Sequence, residues 1–147
     1  MDALKVTQFQ GQYRFLSNFY PAEIPYQGLT YPSVENAYQA AKTTVASERI
    51  PFTMCPPNVA KQLGRKLYLR DDWDDVKLDV MEVLVLRKFQ LHANLRTQLL
   101  LTGGMPLEEG NTWGDKFWGI YMGRGENHLG KILMRIRDEL MRAALNT

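Results

Sequence analysis

A carboxylate, an amide and an amine share one edge of the segment YPSVENAYQAAKT, residues 31–43. Pro32-Ser33 reads as a turn and a helix cap. At about 100° per residue, Val34, Ala37, Tyr38, Ala41 and Val45 fall in a narrow apolar arc. Glu35, Gln39 and Lys42 fall together on its flank. Glu35 and Lys42 lie about two turns apart, on the same side, at roughly 10 Å. Such a trio can wall a polar pocket in which one group moves protons and another attacks or holds an anion. A capped helix with a solvated polar flank has the same spacing, and on spacing alone that reading is the stronger.

A second group lies in NTWGDKFWGIYMGRGENHLG, residues 111–130. Trp113 and Trp118 flank Asp115, and flat rings beside a carboxylate suit stacking on a base while the carboxylate meets its polar atoms. Core aromatics around a turn aspartate fit equally well. Gly123, Gly125 and Gly130 surround Arg124 and Asn127 before a final helix. Glycines at a helix N-terminus let backbone amides approach an anion. The Gly-Lys-Ser/Thr ending of a P-loop is missing, and no adequate strand precedes the loop as a dinucleotide fingerprint requires. A glycine-rich loop feeding a capped helix is the simpler account. A third element is Trp73 among Asp71, Asp72, Asp74 and Asp75. Carboxylates there complement the macrodipole of a long helix.

The elements that must position these groups follow from pattern and punctuation. Residues 4–9 read as a short strand, 13–20 as a strand leading into a loop, and 22–31 as a hairpin turning at Gln27-Gly28. Helices are expected over about 34–46, 58–66, 73–91, 93–101 and 127–144. The 73–91 helix carries Val76, Val80, Val83 and Leu84 as its apolar stripe. The last carries Leu129, Ile132, Leu133, Ile136 and Leu140. Residues 107–121 read as irregular or short strand. The expected fold class is α+β: a mostly helical single domain, residues 1–147, with a small antiparallel β-sheet.

Composition narrows the function classes. Eighteen basic and 16 acidic residues give a net charge of +2, too balanced for nucleic-acid binding by bulk electrostatics. Cys55 is the only cysteine, so no internal disulfide forms, and with two histidines no conventional zinc set is available. No cationic apolar leader opens the sequence, and no run has the length of a membrane span. The expectation is a cytoplasmic protein with no metal, no cofactor and no membrane partner.

Six ordered motifs resemble the NADAR family of YbiA-like proteins. They are FLSNFY (15–20), YPSVENAYQAAK (31–42), DDWDDVK (71–77), LRKFQLHANLRTQLLLTG (86–103), NTWGDKFWG (111–119) and GENHLGKILMRIRDEL (125–140). The resemblance implies an N-glycosidase. It brings in two substrate classes: phosphorylated ribosylamino-pyrimidine intermediates of riboflavin biosynthesis, and ADP-ribose joined to the amino group of guanine, free or within DNA or RNA. In both, ribose is bonded to an exocyclic amine, and such glycosylamines open to an imine that a lysine can capture. The resemblance then casts Lys42 as nucleophile, Glu35 as general acid/base and Asp115 as a second carboxylate. Trp73, Trp113, Trp118 and Gly119 would hold the base. Arg14, Ser17, Asn18, Arg124 and Asn127 would hold ribose and phosphate. Glu35, Lys42, Trp73, Asp115 and Trp118 are expected to line one concave pocket. One departure is Asn36, where many relatives carry His. The competing readings are a non-catalytic ADP-ribose-binding module and a nucleic-acid reversal factor using Arg14, Lys42, Lys61, Arg65, Lys66 and Arg70 at the pocket mouth.

Overall fold

The computed structural model describes residues 4–146. The protein is α+β and mainly helical, and it divides into two compact units. One is Asn18–His92; the other joins the N-terminal segment through Ser17 to everything from Ala93 onward.

In the Asn18–His92 unit, β1 (Ile24–Tyr26) and β2 (Leu29–Tyr31) form an antiparallel hairpin with Ile24 opposite Tyr31 and Tyr26 opposite Leu29. Gln27 and Gly28 take φ of 48° and 88°. That is the left-handed pair required by a two-residue hairpin turn. The period-2 alternation buries Ile24, Tyr26 and Tyr31 on one face and leaves Pro25 and Thr30 outside. Helix α1 (Val34–Ala40) follows at once, capped by Ser33, whose hydroxyl accepts from the Asn36 amide at 3.1 Å.

Helix α1 ends six residues earlier than the apolar pattern predicts. The Lys42 and Thr43 amides donate to Gln39 and Ala40 carbonyls, tightening the last turn. The Thr43 hydroxyl then accepts the Val45 amide at 3.1 Å and donates to Glu48 Oε1 at 2.5 Å, starting a separate turn, α2 (Ala46–Arg49). Val45 is 52 % exposed and leaves the apolar arc. Here a local side-chain bond overrides the helical period.

Helix α3 (Pro57–Gly64) packs on α1, and α4 (Trp73–Leu91) spans the predicted range. The buried set of α4 is Trp73, Val80, Met81, Leu84, Val85, Lys88 and Phe89. Val83 is 42 % exposed, so it is not part of the stripe. Asp74 and Asp75 occupy its first turn, and Arg70 holds Asp72 through two hydrogen bonds of 2.6 and 3.1 Å.

In the other unit, residues 4–9 make only one bridge, Val6 beside Leu107 in parallel. Gly11–Leu16 is a 3₁₀ turn rather than the predicted strand. Helix α5 (Ala93–Leu101) matches its prediction. Two short strands, β3 (Gly110–Asn111) and β4 (Ile120–Tyr121), pair in parallel. Helix α6 (His128–Leu145) buries Leu129, Ile132, Leu133 and Ile136. Arg137 is buried as well, donating to the Thr102 hydroxyl at 3.0 Å and the Met105 carbonyl at 2.8 Å. Among the described residues, no helix is long and apolar enough to cross a membrane.

Lys88 is the one fully buried lysine of α4, 1 % exposed, with its ammonium 5.8 Å from the Tyr20 ring centroid and 5.2 Å from that of Phe89. Burial pulls its pKa from 10.5 down to about 7. Between those values the unfolded chain keeps a proton on Lys88 that the folded chain releases. Its contribution to stability therefore rises with pH across that window and is lowest below it. Chemical denaturation at pH 6, 7.5 and 9 should show this rise, and Lys88→Met should flatten it.

Candidate functional site

The chemistry-bearing residues fall into two sets, one in each unit. In the Asn18–His92 unit the set is built on α1. Glu35 is 7 % exposed and Gln39 5 %. Gln39 Nε2 donates to Glu35 Oε1 at 2.8 Å, which fixes the carboxylate one turn below it. The other end of Gln39 lies against Gly64 of α3. A Cβ on Gly64 would fall 1.8 Å from Gln39 Oε1, so glycine at this position leaves room for the amide end of Gln39. The Glu35 amide donates to the Asn18 carbonyl at 3.0 Å, and Asn18 Nδ2 reaches Met81 Sδ at 3.4 Å. Asn18 thus positions the start of α1, and its buried Oδ1 has no hydrogen-bond partner among the described residues.

Lys42 follows the last turn of α1 and is half-buried, with Nζ 5.8 Å from the Tyr38 ring centroid. Its pKa is lowered from 10.5. Burial is the main cause; Glu35 pulls the other way; Arg65, Lys61 and Lys77 add to the lowering. Glu35 and Lys42 therefore feel each other's charge, as the helical spacing predicts, although Lys42 sits past the helix end.

Trp73 is only 5 % exposed, and its ring packs on Tyr38 at 5.2 Å between centroids. The indole is core, supporting Tyr38 from beneath, rather than an open stacking platform. Asn36 is fully buried and turned away from Glu35: Nδ2 donates to the Phe52 and Cys55 carbonyls at 2.9 and 2.8 Å, and Oδ1 accepts the Ser33 hydroxyl at 2.6 Å. At this position the side chain ties down residues 52–55.

The second set lies in the other unit. Asp115 Oδ1 accepts the Phe117 and Trp118 amides at 3.0 and 2.9 Å, an aspartate turn that sets the direction of both rings. Phe117 meets Trp118 edge-on at 4.9 Å and His128 at 4.5 Å. Trp113 is 56 % exposed. Gly119 is a packing residue, because a Cβ there would meet the Glu109 carbonyl at 2.2 Å.

Much of the expected anion loop already donates to backbone carbonyls. Amides 126, 127, 128 and 129 donate to the carbonyls of 116, 119, 117 and 118. Asn127 sits at the helix boundary with φ of 51° and does not cap α6 with its side chain. Instead its Oδ1 accepts the Glu109 amide at 3.0 Å and its Nδ2 donates to the Leu107 carbonyl at 2.9 Å. Asn127 is structural here. Arg124 and Arg14 are exposed, and Ser17 is half-buried at the end of the 3₁₀ turn, its amide donating to the Arg14 carbonyl at 2.9 Å. Sequence reasoning did not single out Gly64 and Lys77 as neighbours of α1. The signal available was a glycine on the buried side of an otherwise ordinary helix.

Comparison with known proteins places this geometry in a family. The NADAR domain model matches residues 6–141. The N-glycosidase Npun_R5314 of Nostoc punctiforme is 42 % identical over 135 residues, covering 87 % of this chain and 86 % of that protein. The N-glycosidase YbiA of Escherichia coli is 37 % identical over 132 residues, covering 87 % and 82 %. A riboflavin biosynthesis protein of Vibrio vulnificus, VVA0006, is 39 % identical over 134 residues, 88 % of this chain but 36 % of that longer protein. The solution structure of E. coli YbiA superposes with a TM-score of 0.85 at 34 % identity, covering 97 % of this chain and 89 % of that one. The chain belongs to the NADAR family, and it is an enzyme of the N-glycosidase type.

Trp73→Ala should destabilise the protein by about 3–5 kcal/mol through the cavity beneath Tyr38. ADP-ribose affinity per folded molecule should stay near that of the parent. Urea denaturation beside calorimetric titration of ADP-ribose separates this from a stacking role, which would cost affinity with little stability.

Proposed function

We propose that this protein hydrolyses the bond between ribose and an exocyclic amine, with Lys42 as nucleophile and Glu35 as its proton partner. The observation that carries this reading is the half-buried Lys42 amine, held below its usual pKa while the Glu35 carboxylate stays within electrostatic reach. An amine attacks only when neutral, and burial raises the neutral fraction near physiological pH.

The chemistry balances without a cofactor. The glycosylamine opens: the ring oxygen takes a proton and the sugar C1 becomes an imine carbon. Lys42 Nζ adds to that carbon. Glu35 takes the proton from the added Nζ and passes it to the departing amine, the C1–N bond to the base breaks, and a Schiff base joins the sugar to Lys42. Water adds to C1, Lys42 leaves as the amine, and the free sugar is released, ribose phosphate from a phosphorylated ribosylamino-pyrimidine and ADP-ribose from ADP-ribosylated guanine. Gln39 holds Glu35 through its 2.8 Å bond, and Gly64 keeps Gln39 in place. Asp115 spends one oxygen on the turn at 117–118, so the acid/base work rests on Glu35.

The substrate classes that fit are the phosphorylated ribosylamino-pyrimidines of riboflavin biosynthesis and ADP-ribosylated guanine. The names of the N-glycosidase and riboflavin-biosynthesis relatives support the first. The exocyclic amine common to both supports the second. Turnover is read by mass spectrometry of released base and sugar, with both classes assayed in parallel.

Lys42→Arg keeps the charge and removes the nucleophile, and Lys42→Ala removes both. Either should lower kcat by at least about 1,000-fold, and borohydride during turnover should leave the sugar on Lys42. The rate should climb with pH as the amine loses its proton, with a midpoint below 10.5. An active Lys42→Arg variant with no trapped adduct would transfer the chemistry to water activated by Glu35. Tight ADP-ribose binding with no turnover of either class would mark the chain as a binding module.

A further inference from the structure

The cations that depress Lys42 stand in a definite arrangement. Lys61 and Arg65 lie four residues apart on one side of α3 and its C-cap, on either side of Gly64. Gly64 lies against Gln39 of α1, and Lys61 and Arg65 flank it on one side of α3, where their charges reach Lys42 at the polar edge it shares with Glu35 and Gln39. Lys61 Nζ lies 6.0 Å from the Phe19 ring centroid, which holds its stem against the FLSNFY segment. Lys77, one turn after Trp73 on α4, completes the group and pairs with Asp74 at 3.2 Å. Lys61, Arg65 and Lys77 each raise the positive potential felt at Lys42. Clustering like charges is unfavourable without a counter-anion. Glu35, and Asp74 at Lys77, supply negative charge within the cluster; an anionic ligand would add to it.

We propose that Lys61 and Arg65, assisted by Lys77, form the phosphate subsite that holds the substrate's anionic group beside Lys42. The subsite rests on the reading of Lys42 as the reacting amine. It replaces the 123–130 loop in this role, because the amides at 126–129 are occupied by carbonyls. The subsite is short. Asp74 bounds it at Lys77. The neighbouring cleft of about 520 Å³ that includes Thr43 carries Glu48, Asp71 and Asp72, and its Arg70 is already paired to Asp72. An extended polyanion would meet these carboxylates. The geometry therefore favours one or two phosphates of a small molecule, either a sugar phosphate or a diphosphate, over a nucleic-acid backbone.

The test is calorimetric titration of ribose 5-phosphate and of ADP-ribose into the parent and into Lys61→Ala/Arg65→Ala. Affinity should fall at least about 10-fold for the ligand that occupies the subsite, and its salt dependence should weaken. Lys66→Ala, exposed on the same segment, should bind within about twofold of the parent. Lys61→Arg/Arg65→Lys should retain binding, which separates charge from fold if the alanine variant is unstable. Loss with ribose 5-phosphate assigns the subsite to a monophosphate; loss with ADP-ribose alone assigns it to a diphosphate. Double-variant affinity within twofold of the parent for both ligands overturns the subsite, as does failure of the parent to bind either. A trapped Lys42 adduct with unchanged double-variant affinity would leave the hydrolase reading standing and remove only the subsite. Weakened binding with no turnover would do the reverse.

Discussion

The close approach of Gly64 to Gln39 is the constraint on which the rest of the α1 site depends. A helix whose seven residues are all buried needs a partner for each polar side chain it carries. Asn36 finds its partners in the 52–55 backbone and Glu35 finds Gln39 Nε2, while Gln39 Oε1 lies against Gly64 without a hydrogen-bond partner among the described residues. The outcome is a carboxylate fixed in a dry setting, where its field reaches Lys42 weakened less than it would be in water. A side chain at position 64 would displace the end of Gln39 that holds Glu35.

The same burial sets Lys42 apart from the exposed lysines of the chain. A surface lysine keeps its proton. Lys42 is half-covered and faces Arg65, Lys61 and Lys77, so its charged form is disfavoured by both solvent exclusion and repulsion. Glu35 opposes this without reversing it. The balance gives an amine that can lose its proton and remain within reach of an acid. Trp73 packs on Tyr38, whose ring centroid lies 5.8 Å from the amine.

In the other unit, polar groups that look like ligand contacts in the sequence are used by the backbone. Asp115 closes a turn, Asn127 links 107 to 109, and Gly119 admits the Glu109 carbonyl. A two-strand parallel pair with short connections has few ladder bonds of its own, so side chains must satisfy the backbone. The motif residues of this unit include several whose polar groups shape its loops. Sequence spacing does not distinguish such residues from ligand contacts.

Much of the fold was legible in the chain. The hairpin turn at Gln27-Gly28, the range of α4, the range of α5 and the buried face of α6 all follow from local chemistry: left-handed turn residues, helix breakers and 3.6-residue periodicity. Glu35 and Lys42 were likewise readable as an interacting pair, because helical periodicity carries across the two residues past Ala40. What tertiary structure alone decided is which polar residues are available. Thr43 ended α1 by bonding Glu48, Trp73 became core through its contact with Tyr38, the 126–129 amides were taken by the carbonyls of 116–119, and α3 brought Lys61 and Arg65 to Lys42. The reason is physical. Periodicity is a property of neighbours along the chain, whereas the burial and hydrogen-bond satisfaction of a side chain depend on segments distant in sequence.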